Sequence, residues 1–181
     1  MRYSSGNNTP SESLPRMLNL MFRMTFSLAR IGVGLAFLVL ISAVLLQVVG
    51  RSAGLSLVWT EELTRYALLY MIAFGVGIAF RTGDLVNVDV ISEALPGPLP
   101  WLTRLLAAVA TAGLAVYLLP FAWTYTGIGK MQTSPALDLR MDFIHFSVWL
   151  MLAGLAVSGM IRIYGMLSGT EDGRPAKRDE A

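Results

Sequence analysis

Four apolar stretches, at residues 31–49, 63–80, 105–123 and 143–161, constrain this chain more than any other feature. Each is close to the ~20 residues an α-helix needs to cross a hydrocarbon core ~30 Å thick. Inside lipid every backbone N–H and C=O must find its partner within the protein, and a helix supplies those partners within one segment. The chain is 55% hydrophobic and 14% charged over 181 residues, too apolar to hide that surface in a water-soluble core. The fold expected is therefore an all-α integral membrane protein with four transmembrane helices. Its layout is a polar cytoplasmic N-terminal segment at 1–26, a four-helix transmembrane domain at 27–167 and a charged cytoplasmic tail at 168–181. The polar ends, 1–19 and 168–181, are expected to be irregular. The first apolar run is too long for the apolar region of a signal peptide and lacks a small-residue cleavage site after it, so it reads as an uncleaved first span.

Charge gives an orientation. Arg2, Arg16, Arg23, Arg30, Arg81, Arg104, Arg162, Arg174, Lys177 and Arg178 fall on one side of a four-span topology, and Arg51, Arg65, Lys130 and Arg140 on the other. Ten against four is the asymmetry of the positive-inside rule, which puts both termini in the cytoplasm and the loops near 50–60 and 125–142 on the opposite side. The basic isoelectric point, about 9.2, comes from these scattered residues rather than from a patch, so nucleic acid is not an expected partner. The absence of cysteine excludes disulfides, Cys–zinc sites and thiol nucleophiles.

Along the chain, Thr60 is a plausible N-cap for the second span, with Glu61 and Glu62 in its first turn where the helix dipole favours carboxylates. Trp59 and Tyr66 suit an interfacial aromatic belt. Ala73/Gly77 and Gly75/Ala79 in the second span, and Gly154/Ser158 in the fourth, are small residues four apart, which let another backbone approach closely. Between the second and third spans, Leu85, Val88, Ile91 and Leu95 share one face of a short interfacial amphipathic helix that stops before Pro96-Gly97-Pro98. Pro120 predicts a kink or a break near the far end of the third span. The longest external loop, 124–142, follows, and Arg104 reads as the solvated end of the loop before span three.

Chemistry is sparse. A bis-histidine haem needs two ligands and the chain has one histidine, His145, whose place near the start of the fourth span suits an inter-helix hydrogen bond. The 10 methionines read as packing material. No nucleophile–base arrangement, paired-carboxylate site or phosphate loop is present, so neither catalysis nor a cofactor or metal is expected. The cluster that remains is Glu61, Glu62 and Arg65, spaced so that either glutamate can meet the arginine on one helix face. Two readings are open: an interfacial ion pair that eases an arginine into the bilayer, or groups that face a partner or an aqueous path.

The stretch Trp59-Thr60-Glu61-Glu62-Leu63-Thr64-Arg65-Tyr66 through Gly75, followed by Arg81-Thr82-Gly83-Asp84-Leu85-Val86-Asn87-Val88-Asp89, resembles the small, DctQ-like membrane subunit of tripartite ATP-independent periplasmic (TRAP) transporters. That family shows Trp-x-Glu-Glu-x-x-Arg at the start of its second span, a mid-span glycine, and Gly-x-His-x-x-Val-Asp just after it. Gly83, Val88 and Asp89 match, while, in the Asp84-Leu85 pair that precedes Val86, Leu85 stands where the family pattern carries its histidine. Ser134-Pro135-Ala136-Leu137 before the last span also looks like the family. The resemblance implies a non-catalytic scaffold in the bacterial inner membrane, of the separate rather than fused form. Its implied partners are a large membrane subunit of about a dozen spans, which carries the substrate and sodium sites, and a periplasmic substrate-binding protein. It also implies that Trp59, Glu61, Glu62, Arg65, Gly75, Gly83 and Asp89 are candidates for partner contacts or function, while the small-residue spacing gives Ala73, Gly77, Gly154 and Ser158 to helix packing. The alternatives are a small proton-coupled transporter that titrates Glu61 or Glu62, and a membrane anchor for a redox complex.

Overall fold

The computed structural model of the chain describes residues 10–82 and 99–168. They form four helices, α1 Pro10–Ser52, α2 Val58–Thr82, α3 Leu99–Ile128 and α4 Met141–Leu167, with a 3-10 turn, Gly129–Met131, after α3. All four carry a stretch long and apolar enough to cross a membrane: Phe26–Ser52, Val58–Phe80, Leu99–Met131 and Met141–Leu167. The four expected spans are thus present, each longer than its apolar run, because flanking aromatic and polar residues continue the helix beyond the hydrophobic segment. The expected interfacial helix, with Gly83 and Asp89, lies outside the described residues.

Two local expectations are corrected and a third is narrowed. Helix α1 begins at Pro10, inside the segment expected to be irregular; a proline at the first helical position brings its own helical φ and lacks only an amide that would have no partner there. Helix α2 begins at Val58, so Thr60 lies within its first turn and does not cap it. Its amide and hydroxyl both donate back to the Leu57 carbonyl, at 3.1 and 2.6 Å. Of the kink or break expected at Pro120, the break is absent, since helix α3 continues to Ile128. The proline removes one amide donor while the rest of the ladder persists, and the Thr124 hydroxyl donates to the Pro120 carbonyl at 3.1 Å.

The early start of α2 follows from how α1 ends. Gly54 adopts φ +75°, its N–H donates to the Arg51 carbonyl at 3.1 Å, and the Leu55 N–H donates to the Gly50 carbonyl at 2.8 Å. This is a Schellman termination, whose left-handed residue favours glycine. Leu57 then folds back over Gly50, where a Cβ would come within 2.6 Å of Leu57 Cδ1. The chain has turned round within five residues.

The helices pack in series: α1 on α2, α2 on α4, and α4 on α3, with no other close pairing among the described helices. The order α1–α2–α4–α3 makes an open layer rather than a closed bundle. Each contact is built on small residues, as expected where lipid removes the hydrophobic drive between helices and close backbone approach supplies the attraction. On α1 the buried residues Ala36, Ala43 and Gly50 recur every seven positions, and Gly32 lies under the Phe74 ring. On α3 the buried row is Ala108, Ala112, Ala115 and Ala122. Gly159 of α4 faces Ala112 so closely that a Cβ would meet the alanine Cβ at 2.8 Å. Ala115, Ala122, Leu152 and Ala156 form the buried core of this pair, with Trp149 and Val148 against it.

Candidate functional site

Among the described residues, a network of polar side chains lies at the end of the layer where α1 turns into α2 and α3 into α4. The α3–α4 loop is short and internally bonded. Thr133 and Arg140 form an isolated antiparallel bridge. The Ser134 N–H donates to the Leu139 carbonyl at 2.8 Å, the Met141 N–H to the Gln132 carbonyl at 3.0 Å and the Asp138 N–H to the Ser134 carbonyl at 3.1 Å. Asp138 takes the left-handed conformation at φ 52°, which Asp tolerates better than most residues. The Arg140 guanidinium pairs with the Asp142 carboxylate at 2.6 Å.

Glu62 reaches across from α2 to fasten this loop. Its carboxylate accepts the Ser134 hydroxyl and, at 3.3 Å each, the N–H groups of Ala136 and Leu137. Glu62 is 5% exposed and Ser134 only 2%. A buried carboxylate needs several donors to offset its lost hydration, and one hydroxyl with two convergent amides supplies them. These three residues belong to the Ser134-Pro135-Ala136-Leu137 segment whose role the sequence left unassigned, because a contact spanning more than seventy positions has no local periodicity to betray it.

Of the two readings left open for Glu61, Glu62 and Arg65, the close ion pair along the helix is not formed. Glu61 is exposed and accepts a hydrogen bond from Gln47 Nε2 of α1 at 3.3 Å. Glu62 goes to the loop. Arg65 is exposed and makes no ion pair with either glutamate. It lines a furrow of about 480 Å³ together with Glu62, Tyr66, Tyr125, Met141 and His145. An exposed ion pair along one helix is worth only a few tenths of a kcal/mol, too little to compete with the donors the loop offers Glu62. Trp59 is exposed on the first turn of α2.

His145 stands between α4 and α3. Its ring stacks on Tyr125 with centroids 4.0 Å apart, and Nδ1 lies 3.3 Å from the Tyr125 carbonyl. It is an inter-helix hydrogen-bonding residue. Gly129 allows this approach, since a Cβ there would lie 2.6 Å from the Asp142 nitrogen and 2.7 Å from His145 Nδ1.

Of the small residues singled out, Gly77 meets Gly154 and Ser158 directly: a Cβ at 77 would lie 3.0 Å from Ser158 Oγ and 3.1 Å from the Gly154 carbonyl oxygen. Ala73 is buried beside the same crossing, its carbonyl oxygen 3.8 Å from where a Gly154 Cβ would sit. Gly75 faces Val33 of α1 with ordinary space, 3.8 Å to Cγ2. Arg104 corrects the sequence reading. It is 6% exposed, on the buried alanine face of α3, and not at a solvated loop end, because its position four residues before Ala108 puts it on that face. Arg162 of α4 is also buried, donates to the Phe80 carbonyl at 3.2 Å and lies 5.6 Å over the Phe80 ring. The alanine row and Gly159 were not singled out from the sequence, although the spacing 108, 112, 115, 122 carries the helical period that would have found them. Among the described residues no group of three metal-ligating side chains converges.

The family model described as "Tripartite ATP-independent periplasmic transporters, DctQ component" matches residues 40–169. The chain is also similar to the isethionate TRAP transporter permease protein DctMQ of Oleidesulfovibrio alaskensis, with 29% identity over 120 residues. That match covers 60% of this chain and 18% of the relative's length.

Proposed function

The chain belongs to the DctQ family of TRAP transporters, and from that premise we propose that it acts as a non-catalytic small membrane subunit, scaffolding a large transport subunit for sodium-coupled uptake. The solute is an organic acid or related compound delivered by a periplasmic binding protein. The observation that carries this reading is the serial packing α1–α2–α4–α3. A carrier working alone needs a polar site near the bilayer midplane, enclosed between helices. An open layer has two faces and no enclosed interior, which suits a part that widens the immobile portion of a larger assembly. Glu61 and Glu62, the residues an autonomous proton-coupled carrier would titrate, sit within the first turns of α2 and are engaged by Gln47 and the α3–α4 loop. That placement favours the subunit reading over the carrier.

In this reading the protein resides in the bacterial inner membrane with both termini cytoplasmic, as the distribution of Lys and Arg supports. The end of the layer carrying Glu62 and the α3–α4 loop then faces the periplasm. The test is purification of the tagged chain from native membranes in mild detergent, with co-purifying proteins identified by mass. A stoichiometric partner of about a dozen spans is the expected result; recovery of the chain alone as a stable oligomer would overturn the assignment. Topology reporters at Lys130 and at the C-terminus should report opposite sides of the membrane.

A further inference from the structure

We propose that the furrow crossing α4 between α2 and α3 is a binding site for one anionic phospholipid, its acyl chain lying along the helices and its phosphate at Lys130. The inference needs only that these helices span a bilayer, and it stands apart from the subunit reading above.

The furrow has a volume of about 650 Å³. Its walls are rings: Tyr70 and Phe74 of α2, Trp123 of α3, and Phe143 and Phe146 of α4. Contacts hold several of these rings in place. The Tyr70 hydroxyl donates to the Phe143 carbonyl at 2.5 Å, which ties α2 to α4. On the other side Trp149 stacks on Phe146 with centroids 5.4 Å apart, and meets Trp123 edge-on at 5.8 Å. From Asp142 to Leu150, at ~1.5 Å per helical residue, the furrow runs for about 12 Å.

Shape is the first observation that selects its occupant. Where this chain's own helices meet, they do so through small residues such as Gly77 and Gly159, because close backbone approach supplies the attraction in lipid. The rings of the furrow hold a further helix off, whereas a single acyl chain is thin and flexible enough to lie between them. Gly127 lines the same furrow, and a Cβ there would meet nothing within 4 Å.

Charge is the second. At the loop end the furrow is lined by Lys130 and Asp142. The close approach of Gly129 to the Asp142 nitrogen seats the 3-10 turn on the start of α4 and so sets these two residues at one end. The Asp142 carboxylate is balanced locally: Arg140 pairs with it at 2.6 Å, and the Phe143 N–H donates to it at 3.1 Å. Lys130 is exposed and makes no ion pair among the described residues. The mouth therefore carries one positive charge in excess, on a residue whose stem can follow apolar surface while its ammonium stays at the interface. A soluble anion would satisfy the lysine but not the rings. An anionic phospholipid satisfies both, and its net charge neutralises Lys130 where a zwitterionic headgroup does not.

The experiment uses the full-length chain, with any subunit it retains, in phosphatidylcholine nanodiscs containing a minor fraction of brominated lipid, which quenches nearby tryptophan. The substitutions Trp59→Phe and Trp101→Phe, both at exposed positions, leave the adjacent pair Trp123 and Trp149 to report on the furrow. Brominated phosphatidylglycerol should compete for the furrow about fivefold better than brominated phosphatidylcholine, the effect of one lysine beside an anionic headgroup. Lys130→Gln should remove that preference and Lys130→Arg should keep it, while Gly127→Leu should remove it by filling the furrow. Equal quenching by the two lipids, or a preference that survives Lys130→Gln or Gly127→Leu, would overturn the site. Brominated phosphatidylethanolamine quenching as strongly as phosphatidylglycerol would also overturn it, because a zwitterion is not selected by charge. So would loss of a retained subunit from Gly127→Leu, which would give the furrow to a protein neighbour. If the wild-type chain retained no large subunit, the subunit reading would fail while these lipid measurements would still decide the site.

Discussion

Replacing Gly77 tests the crossing of α2 on α4, where a Cβ would have to enter a space bounded by Ser158 Oγ at 3.0 Å, the Gly154 carbonyl oxygen at 3.1 Å and the Gly154 carbonyl carbon at 3.3 Å. Unstrained contacts of this kind lie at about 3.5 Å or beyond. Two of the three neighbours are backbone, so relief requires α4 to move and not simply a rotamer change. Overpacking of this sort costs roughly 1–3 kcal/mol, while exchanging glycine for alanine within a helix returns up to about 1 kcal/mol. Gly77→Ala is therefore expected to lose about 0–2 kcal/mol. Gly77→Leu brings three further carbons into the same gap and is expected to lose about 3 kcal/mol. The controls come from the same small-residue motifs. Alanine at Gly154 would first meet the Ala73 carbonyl oxygen at 3.8 Å, and at Gly75 the Val33 Cγ2 at 3.8 Å, both ordinary contact distances. Neither control should lower stability. Thermal denaturation of the purified protein in detergent reads these differences, at about 2–4 °C per kcal/mol for a chain of this size. Gly77→Leu should thus lower the midpoint by about 6–12 °C. A midpoint unchanged in Gly77→Leu, or one lowered as far by Gly154→Ala, would refute the geometry of the crossing.

Arg104→Ala should destabilise the isolated chain by about 2 kcal/mol or more, and Arg65→Ala by no more than about 0.5, because Arg104 is buried and Arg65 is exposed; the opposite order of melting temperatures would count against this placement. Gly129→Ala forces a Cβ to within 2.6 Å of the Asp142 nitrogen, so about 2 kcal/mol should be lost and amide exchange across 132–140 should accelerate; unchanged exchange would mean the 3-10 turn is not pinned there. Gly54→Ala must place a side chain at φ +75° and should cost about 1–2 kcal/mol, with Gly54→Asn costing less, again read from the melting midpoint.

The helices were legible because hydropathy is local: twenty apolar residues in a row commit to a spanning helix whatever surrounds them. Their arrangement was not. Nothing in the four stretches announces that α4 rather than α3 sits beside α2, although the Ala73/Gly77 and Gly154/Ser158 pairs that meet there were visible as separate motifs. Glu62 shows the same divide within one residue. Its spacing from Arg65 suggested an ion pair along the helix, and the pattern was correct as far as sequence distance goes. The partner it takes lies seventy-two positions away, and three donors held by a folded loop outcompete one flexible guanidinium in water. Arg104 was misjudged for a related reason. Its charge suggested solvent, while its register with Ala108, Ala112 and Ala115 places it on the face that packs.

The open layer also bears on where specificity can reside. The sides of the helices carry many exposed apolar side chains, including Leu35, Leu38 and Leu45 on α1 and Leu106, Leu114 and Phe121 on α3. In a bilayer such surfaces are covered by acyl chains about as well as by another helix, so apolarity alone neither attracts nor selects a partner. Discrimination must come from shape at small-residue crossings and from polar groups that lipid cannot satisfy. Some of the described small residues hold this chain's own helices together, with Gly77 against Gly154, Gly159 against Ala112 and Gly32 under Phe74, while Gly34, Gly113 and Gly127 have nothing within 4 Å of where a Cβ would sit. Among the described residues a polar cluster lies at the end with Glu61, Glu62 and Arg65, where Glu62 accepts from the Ser134 hydroxyl and the amides of Ala136 and Leu137. Three donors on one buried carboxylate tie the α3–α4 loop to the first turns of α2, so this end of the layer keeps a defined polar shape, the kind of feature that acyl chains cannot match.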